Sequence, residues 1–367
     1  MNRRRIVCVA GVRPNFMKVA ALLRALHGHR SLEGLLVHTG QHYDASMSDS
    51  FLADLEMPEP VAHLSVGPDL PVRQTARIME AFEQALAGLA ADLVLVVGDA
   101  NSTLACALAA VKCRVPVVHV EAGLRSFDRG MPEELNRILT DQIADHLFVT
   151  EQSGIDNLRR EGIPDERVHF TGNTMIDTLA HLMPRIDAAG TARKIGLRPG
   201  EYAVVTLHRP SNVDEPRRLT ELVDLVLELA AKLPVVFPGH PRTRGTLERA
   251  GQWAKLAAVP AVHVLGPQPY IDFLSLTKGS RFVLTDSGGI QEETTYLGVP
   301  CITARTSTER PVTTEIGTNV LVGDDFGSSR EAIGRILAGE ARRGAIPPLW
   351  DGHSAERTVA VLAQRSA

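Results

Sequence analysis

Short runs of aliphatic and β-branched residues, apolar at nearly every position, recur along this chain with longer amphipathic or alanine-rich segments between them. The first half holds RIVCVA (5–10), GLLVHT (34–39), DLVLVV (92–97), VPVVHV (115–120), HLFVT (146–150) and VHFTG (168–172). The second half holds YAVVTLH (202–208), LPVVFPG (233–239), VHVLG (262–266), RFVLTD (281–286), VPCITA (299–304) and TNVLVG (318–323). A strand with one wet face alternates in polarity, whereas a run apolar throughout is buried on both faces, as in a parallel sheet. Such strands separated by helical segments spell βαβ units, so the pattern predicts an α/β fold with doubly wound parallel sheets. The segment MPRIDAAGTARKIGLRPGE (183–201), rich in Gly, Pro and charge, reads as a boundary region between two domains of similar size. The expected division is 1–175 and 176–352, followed by an amphipathic tail, 353–367.

A chain of 367 residues has room for two domains of ordinary size. A net charge of −4 gives no field for nucleic acid or for an anionic membrane surface. Cys8, Cys106, Cys113 and Cys301 form no C-x-x-C pair, which predicts neither a disulfide framework nor a metal site. The opening MNRRRIVCVAG couples a basic patch to an apolar run too short for a signal segment, and reads as a first strand. No apolar stretch nears the roughly 20 residues of a spanning helix, so the expectation is a cytoplasmic chain with no membrane partner.

In open α/β sheets, ligands bind beyond the carboxyl ends of the strands, and the polar motifs sit at those ends. VAGVRPNFMK (9–18) sets Arg13 and Lys18 at a helix start behind Gly11, which suits a phosphate. It is not G-x-G-x-x-G, so no dinucleotide cofactor is predicted. In VVGDANST (96–103), Asp99 follows a buried strand and would serve equally as a helix N-cap. VHVEAGLRSFDRGMPEELNR (118–137) ends a buried strand on Glu121, where a carboxylate is costly unless used or paired. The same motif opens a helix with Pro132, Glu133 and Glu134. Leu135, Ile138 and Leu139 are expected to form that helix's core face, leaving Glu133 to point elsewhere. Two acids sharing a site push their pKa values apart, so that one can act as acid and the other as base. VTLHRPSN (205–212) sets His208 and Arg209 at one strand mouth, and FPGHPRT (237–243) sets His240 at the next. In LTDSGGIQEE (284–293), Ser287, Gly288 and Gly289 offer unobstructed N–H groups at a helix N-terminus, an anion nest for a diphosphate. Glu293, one turn on, can accept from a vicinal diol such as ribose presents, and Arg310 in TSTERP (306–311) adds a phosphate contact. Nest and diol acceptor together point to a nucleoside diphosphate.

Taken in order, GVRPNFMK, GQHYD, VGDANST, HVEAGLRS, PEELNR, GNTMID, LHRPSN, LTDSGGIQEE and TERP resemble the non-hydrolysing UDP-N-acetylglucosamine 2-epimerases over nearly the whole chain. The resemblance implies a GT-B fold: two Rossmann-like domains about a cleft, with a C-terminal helix, here in 353–367, that returns to the first domain. It implies Arg13, Lys18, Asp99, Glu121, Glu133 and His208 in catalysis, and His240, Ser287, Gly288, Glu293 and Arg310 in UDP binding. Gln41, His42, Arg73, Gln74 and Arg209 fall on the family's second, regulatory UDP-N-acetylglucosamine site. The implied activity is interconversion of UDP-N-acetylglucosamine and UDP-N-acetylmannosamine, by elimination of UDP to 2-acetamidoglucal and re-addition, with no cofactor and no metal. A homodimer serving surface-polysaccharide synthesis is implied in the same way. Glu121 and Glu133 are the expected proton carriers, with Asp99 assisting.

Three motifs depart from the family. GVRPN replaces GTRPE, putting Asn15 for an acid; HRPS replaces HRRE, putting Pro210 and Ser211 for Arg and Glu; and QHYD replaces the regulatory QHR(Q/E). These bear on the regulatory site and on the identity of the sugar. The alternatives are a hydrolysing 2-epimerase that releases N-acetylmannosamine and UDP, an epimerase of a related UDP-2-acetamido sugar, a GT-B glycosyltransferase, or a sensor without turnover.

Overall fold

The structure, a computed structural model, describes residues 3–41, 51–323 and 326–364. The chain divides into two compact units, one of Met1–His181 with Pro348–Ala367 and the other of Leu182–Pro347. The first unit carries seven parallel strands: β1 (Arg4–Ala10), β2 (Leu32–His38), β3 (Ala62–His63), β4 (Leu93–Val97), β5 (Val117–Ala122), β6 (His146–Val149) and β7 (Val168–Phe170). They lie in the order β3-β2-β1-β4-β5-β6-β7. On one face Val7, Val9, Val94, Val96 and Leu147 pack against Ile78 and Phe82 of the helix Pro71–Leu89 and Ala105, Cys106 and Ala109 of the helix Asn101–Lys112. The two-residue β3 had no apolar run to announce it; it forms because β2 offers an open edge to His63 and Ala62.

The second unit repeats the scheme with six parallel strands: β8 (Ala203–Thr206), β9 (Val235–Pro238), β10 (Val262–Leu265), β11 (Phe282–Thr285), β12 (Cys301–Thr303) and β13 (Asn319–Leu321). Their order is β10-β9-β8-β11-β12-β13. Leu219, Leu222 and Val226 of the helix Pro216–Ala230 fill the core against Val205, Phe237 and Leu284. In each sheet the strand order reverses once, between β1 and β4 and between β8 and β11. Crossovers leave on opposite faces at such a point and open a crevice at the carboxyl edge.

The helix Pro132–Ile143 corrects the sequence reading. Leu135 and Leu139, expected inside, are 38% and 50% exposed, and the buried face carries Glu134, Asn136, Arg137, Thr140 and Asp141. The physical reason lies in what that face meets: the backbone of Asp99 and Gly123 and the ring of His119, which need hydrogen-bond partners rather than methyl groups.

The segment after the second unit belongs to the first. Trp350, fully buried, donates through Nε1 to the Thr150 carbonyl (2.9 Å), and Arg357 donates to the Thr171 carbonyl (2.7 Å). The helix Ser354–Gln364 packs on the helix Arg13–Leu26, and its first turn is held by Asp177, whose Oδ2 accepts from Ala355 N (2.6 Å). Burial pushes the Asp177 carboxyl up to about 6, against the pull of the Ala355 and Ser354 N–H groups and of Arg357. Between the ordinary carboxylate pKa and that value, the folded chain keeps a proton that the unfolded chain has lost. Stability should therefore fall as pH rises through this window, by about 3 kcal/mol in all, and level off above it. Asp177→Asn keeps an acceptor for Ala355 and should flatten that slope in denaturant titrations run from about pH 4 to 7; an unchanged slope would assign the pH dependence elsewhere.

Candidate active site

At the β1/β4 switch point the turn after β1 is tight. A Cβ on Gly11 would collide with the hydroxyls of Thr39 and Ser102, so close approach, not φ, requires glycine there. Gly98 ends β4 with φ +66°, and a Cβ on it would stand 3.0 Å from Glu121 Oε2 and 3.2 Å from Lys18 Nζ. Lys18 reaches from the helix Arg13–Leu26 to pair with Glu121, and both side chains are buried. Asn15 braces this corner by donating to Val97 O (3.0 Å) while accepting from Val12 N (3.3 Å). An amide does both; a carboxylate could only accept. Arg13 stands at the start of the same helix, its guanidinium 4.8 Å from the centre of the Phe51 ring.

Glu121 has φ +72°, a left-handed backbone for a non-glycine residue, and the β5/β6 register slips between Val120 and Ala122. Bulges and strained backbone of this kind re-aim side chains and cluster at functional sites. Beneath it His119 is fully buried, with Nδ1 2.7 Å from Asp141 Oδ1 and Nε2 2.8 Å from the Gly98 carbonyl. Burial opposes the charge on Asp141, but His119 and Arg125 together hold its carboxyl below the usual range.

Asp99 is not the cap of the helix Asn101–Lys112, a position held by Ala100. Its carboxylate lies 3.3 Å from Arg137, which also donates to Glu134 (2.9 Å). Glu133 is exposed on the first turn of its helix, while its neighbour Glu134 turns inward to accept from the N–H groups of Ser126 and Phe127, each at 2.9 Å.

At the β8/β11 switch point the centre is Asp286, fully buried. It accepts from the backbone N–H of His208 (3.0 Å) and Arg209 (2.9 Å) and from Asn212 Nδ2 (2.9 Å), and faces His208 Nδ1 (3.0 Å). Burial works against its charge, yet these donors, His208 first, hold its carboxyl below the usual range. The His240 ring lies 5.0 Å from the His208 ring, and its Nδ1 accepts from Arg242 N (3.2 Å) to cap the helix Pro241–Arg249.

Ser287 occupies the N-cap position of the helix Gly288–Leu297, with no capping bond from its side chain, at the site of the expected nest. A Cβ on Gly288 would stand 2.6 Å from Glu309 Oε1, so a carboxylate's approach requires this glycine. Arg310 pairs with Glu292 (2.8 Å) and Glu309 (3.2 Å). Glu293 is buried and accepts from the Tyr270 hydroxyl (3.0 Å).

Of the residues matched to the regulatory site, His42 lies outside the described residues. Gln41 accepts from Ser102 N (3.0 Å), and Gln74 donates to the Gly67 carbonyl (2.9 Å) and accepts from Asn101 (3.1 Å). Arg73 is exposed, and Arg209 belongs to the second unit, where it donates to the Asp286 carbonyl (3.1 Å). Asp286, Arg137 and Glu309 were not singled out in the sequence, and Glu134 was read only as helping to open its helix. For Asp286 the signal was there, an acid at the end of a largely apolar buried run, as with Glu121.

Two Rossmann-like units with crevices of this kind make a GT-B type of fold, and a glycotransferase of kitacinnamycin shares it at TM-score 0.60 and 15% identity, a likeness of fold alone. The family is set by closer matches: a model described as UDP-N-acetylglucosamine 2-epimerase covers residues 24–363. A UDP-N-acetylglucosamine 2-epimerase of Methanocaldococcus jannaschii is 37% identical, over 96% of this chain and 97% of its own. Its crystal structure in complex with UDP-GlcNAc and UDP aligns at TM-score 0.90 over 98% of this chain and 99% of that one. A UDP-2,3-diacetamido-2,3-dideoxy-D-glucuronate 2-epimerase of Pseudomonas aeruginosa is 41% identical, over 87% of this chain and 88% of its own. The chain belongs to the UDP-N-acetylglucosamine 2-epimerase family.

Removing one partner of the buried Lys18–Glu121 pair strands a charge. Lys18→Met should cost about 3–5 kcal/mol in equilibrium denaturation, and adding Glu121→Gln should recover most of it. Additive losses would mean the two residues act separately.

Proposed function

We propose that this protein interconverts UDP-N-acetylglucosamine and UDP-N-acetylmannosamine without hydrolysis. The observation that carries the reading is the strained, buried Glu121 at a switch-point crevice, flanked by Lys18, with Asp99 on the neighbouring strand end. Strain kept at a buried acid is hard to account for by packing alone. In this mechanism a carboxylate takes the C2 proton while the C1–O bond breaks on the opposite face. The bonding electrons leave with UDP, and a C1–C2 double bond forms, giving 2-acetamidoglucal. Re-addition delivers a proton to the other face of C2 as UDP oxygen returns to C1. Glu121 and Glu133 carry the protons and Asp99 assists, with Arg13 and His208 offsetting charge on the departing diphosphate. The diphosphate and ribose are held by His240, Ser287, Gly288, Gly289, Glu293 and Arg310. On this reading residues 1–175 and the tail 353–367 supply the acids, and 176–352 bind UDP.

A regulatory second UDP-N-acetylglucosamine at Gln41, His42, Arg73, Gln74 and Arg209, a homodimer, a cytoplasmic location and a place in polysaccharide synthesis come with the same reading. The 41% identical relative named for a diacetamido-glucuronate supports a second reading in which the sugar is such a uronate. Proton NMR in D₂O with each UDP-sugar separates these. Epimer carrying deuterium at C2 supports elimination and re-addition. Free N-acetylmannosamine with UDP would replace it by the hydrolysing reaction, and a C2 that stays protonated with both sugars would overturn the epimerase reading. Glu121→Gln should abolish C2 exchange and leave UDP affinity within about threefold of the wild type; undiminished turnover would remove Glu121 from the chemistry.

A further inference from the structure

We propose that Arg305 and Glu309 are positioning residues for diphosphate recognition: they hold Arg310 beside the Ser287–Gly289 nest and cancel the negative charge that its holder brings there. The proposal rests on the reading of this nest as the UDP site.

Glu309 is out of place on simple electrostatic grounds. A nest of N–H groups at a helix N-terminus favours an anion, yet a carboxylate of the chain itself stands against Gly288, close enough to exclude a Cβ. Left alone, that carboxylate would repel a diphosphate. It is not left alone, because Arg305 Nη2 donates to Glu309 Oε2 at 2.7 Å, both side chains being buried. The other oxygen, Oε1, accepts from Arg310 Nη1 at 3.2 Å, and Arg310 Nε lies 2.8 Å from Glu292 Oε1. Cation and anion thus alternate along Arg305, Glu309, Arg310 and Glu292, so each buried charge is flanked by its opposite.

Arg305 Nη1 is buried without a hydrogen-bond partner and lies 4.0 Å from the position of a Cβ on Gly288, so this cation is turned toward the first turn of the helix. The loop carrying the three residues is tied to the same helix by Thr308 Oγ1, which donates to Gln291 Oε1 (2.8 Å) and accepts from Arg310 N (3.1 Å). Glu309, together with Glu292, sets the direction of the Arg310 guanidinium, and Arg305 removes the electrostatic penalty of having Glu309 there.

Calorimetric titration with UDP, and ligand-observed NMR with uridine, test this on the full chain. Arg305→Met should weaken UDP about tenfold or more and leave uridine unchanged, since the effect acts on the phosphates. Arg305→Lys, which keeps the charge, should stay within about threefold. In a Glu309→Gln background, Arg305→Met should cost less than about threefold, because the charge it offsets is gone. Unaltered UDP binding by Arg305→Met, an equal loss for uridine, or additive effects in the double variant would overturn the proposal. Arg310→Met reports on the underlying reading separately: if it binds UDP like the wild type, the nest is not the UDP site and this inference falls with it.

Discussion

Where successive crossovers of a parallel sheet leave for opposite faces, the backbone at the carboxyl edge parts and nothing in the sheet fills the gap. Both units of this chain are organised around such a parting, β1 against β4 and β8 against β11. The strands themselves are apolar at most positions on both faces, with His119 and Glu121 of β5 among the exceptions. Most of the polar residues of the two crevices therefore stand at the few positions where a strand ends and a helix begins. Gly11, Gly98 and Glu121 occupy them in the first unit, and His208, Asp286 and Ser287 in the second.

Charges gathered at a buried edge need partners, and the surrounding elements of the fold supply them. Lys18 comes from a helix to meet Glu121, Arg137 reaches from its helix to Asp99 while also pairing with Glu134 one turn before it, and the β8 loop turns three donors onto Asp286. Pairs of this sort contribute little net stability, because desolvation offsets most of the attraction. What they fix is direction: an acid held by a charged partner has a preferred orientation.

The strands could be read from the sequence because burial on both faces leaves a signature that no other element shares. The family could be read because its motifs mark the strand ends in order, and the comparisons give the same family. The helix Pro132–Ile143 could not, since Leu135, Ile138 and Leu139 have the spacing of a core face whether or not they face a core. Only the polar groups awaiting it, on Asp99, Gly123 and His119, turn it the other way. Adjacent acids were ambiguous for the same reason: Glu133 and Glu134 differ by a fraction of a turn, and one is exposed while the other is buried. Loop charges such as Arg305 and Glu309 carry no periodicity, and only their packing against Gly288 makes them legible.

The first unit is also discontinuous in sequence. Trp350 and the helix Ser354–Gln364 complete it, yet they are synthesised only after the whole second unit has been translated. On the ribosome the seven-stranded sheet must therefore wait with the bare flank of the helix Arg13–Leu26 in water, while the six-stranded sheet can close as soon as it emerges. The half of the protein that is made first is thus finished last, and nascent chains of every intermediate length carry an open apolar surface for chaperones to cover.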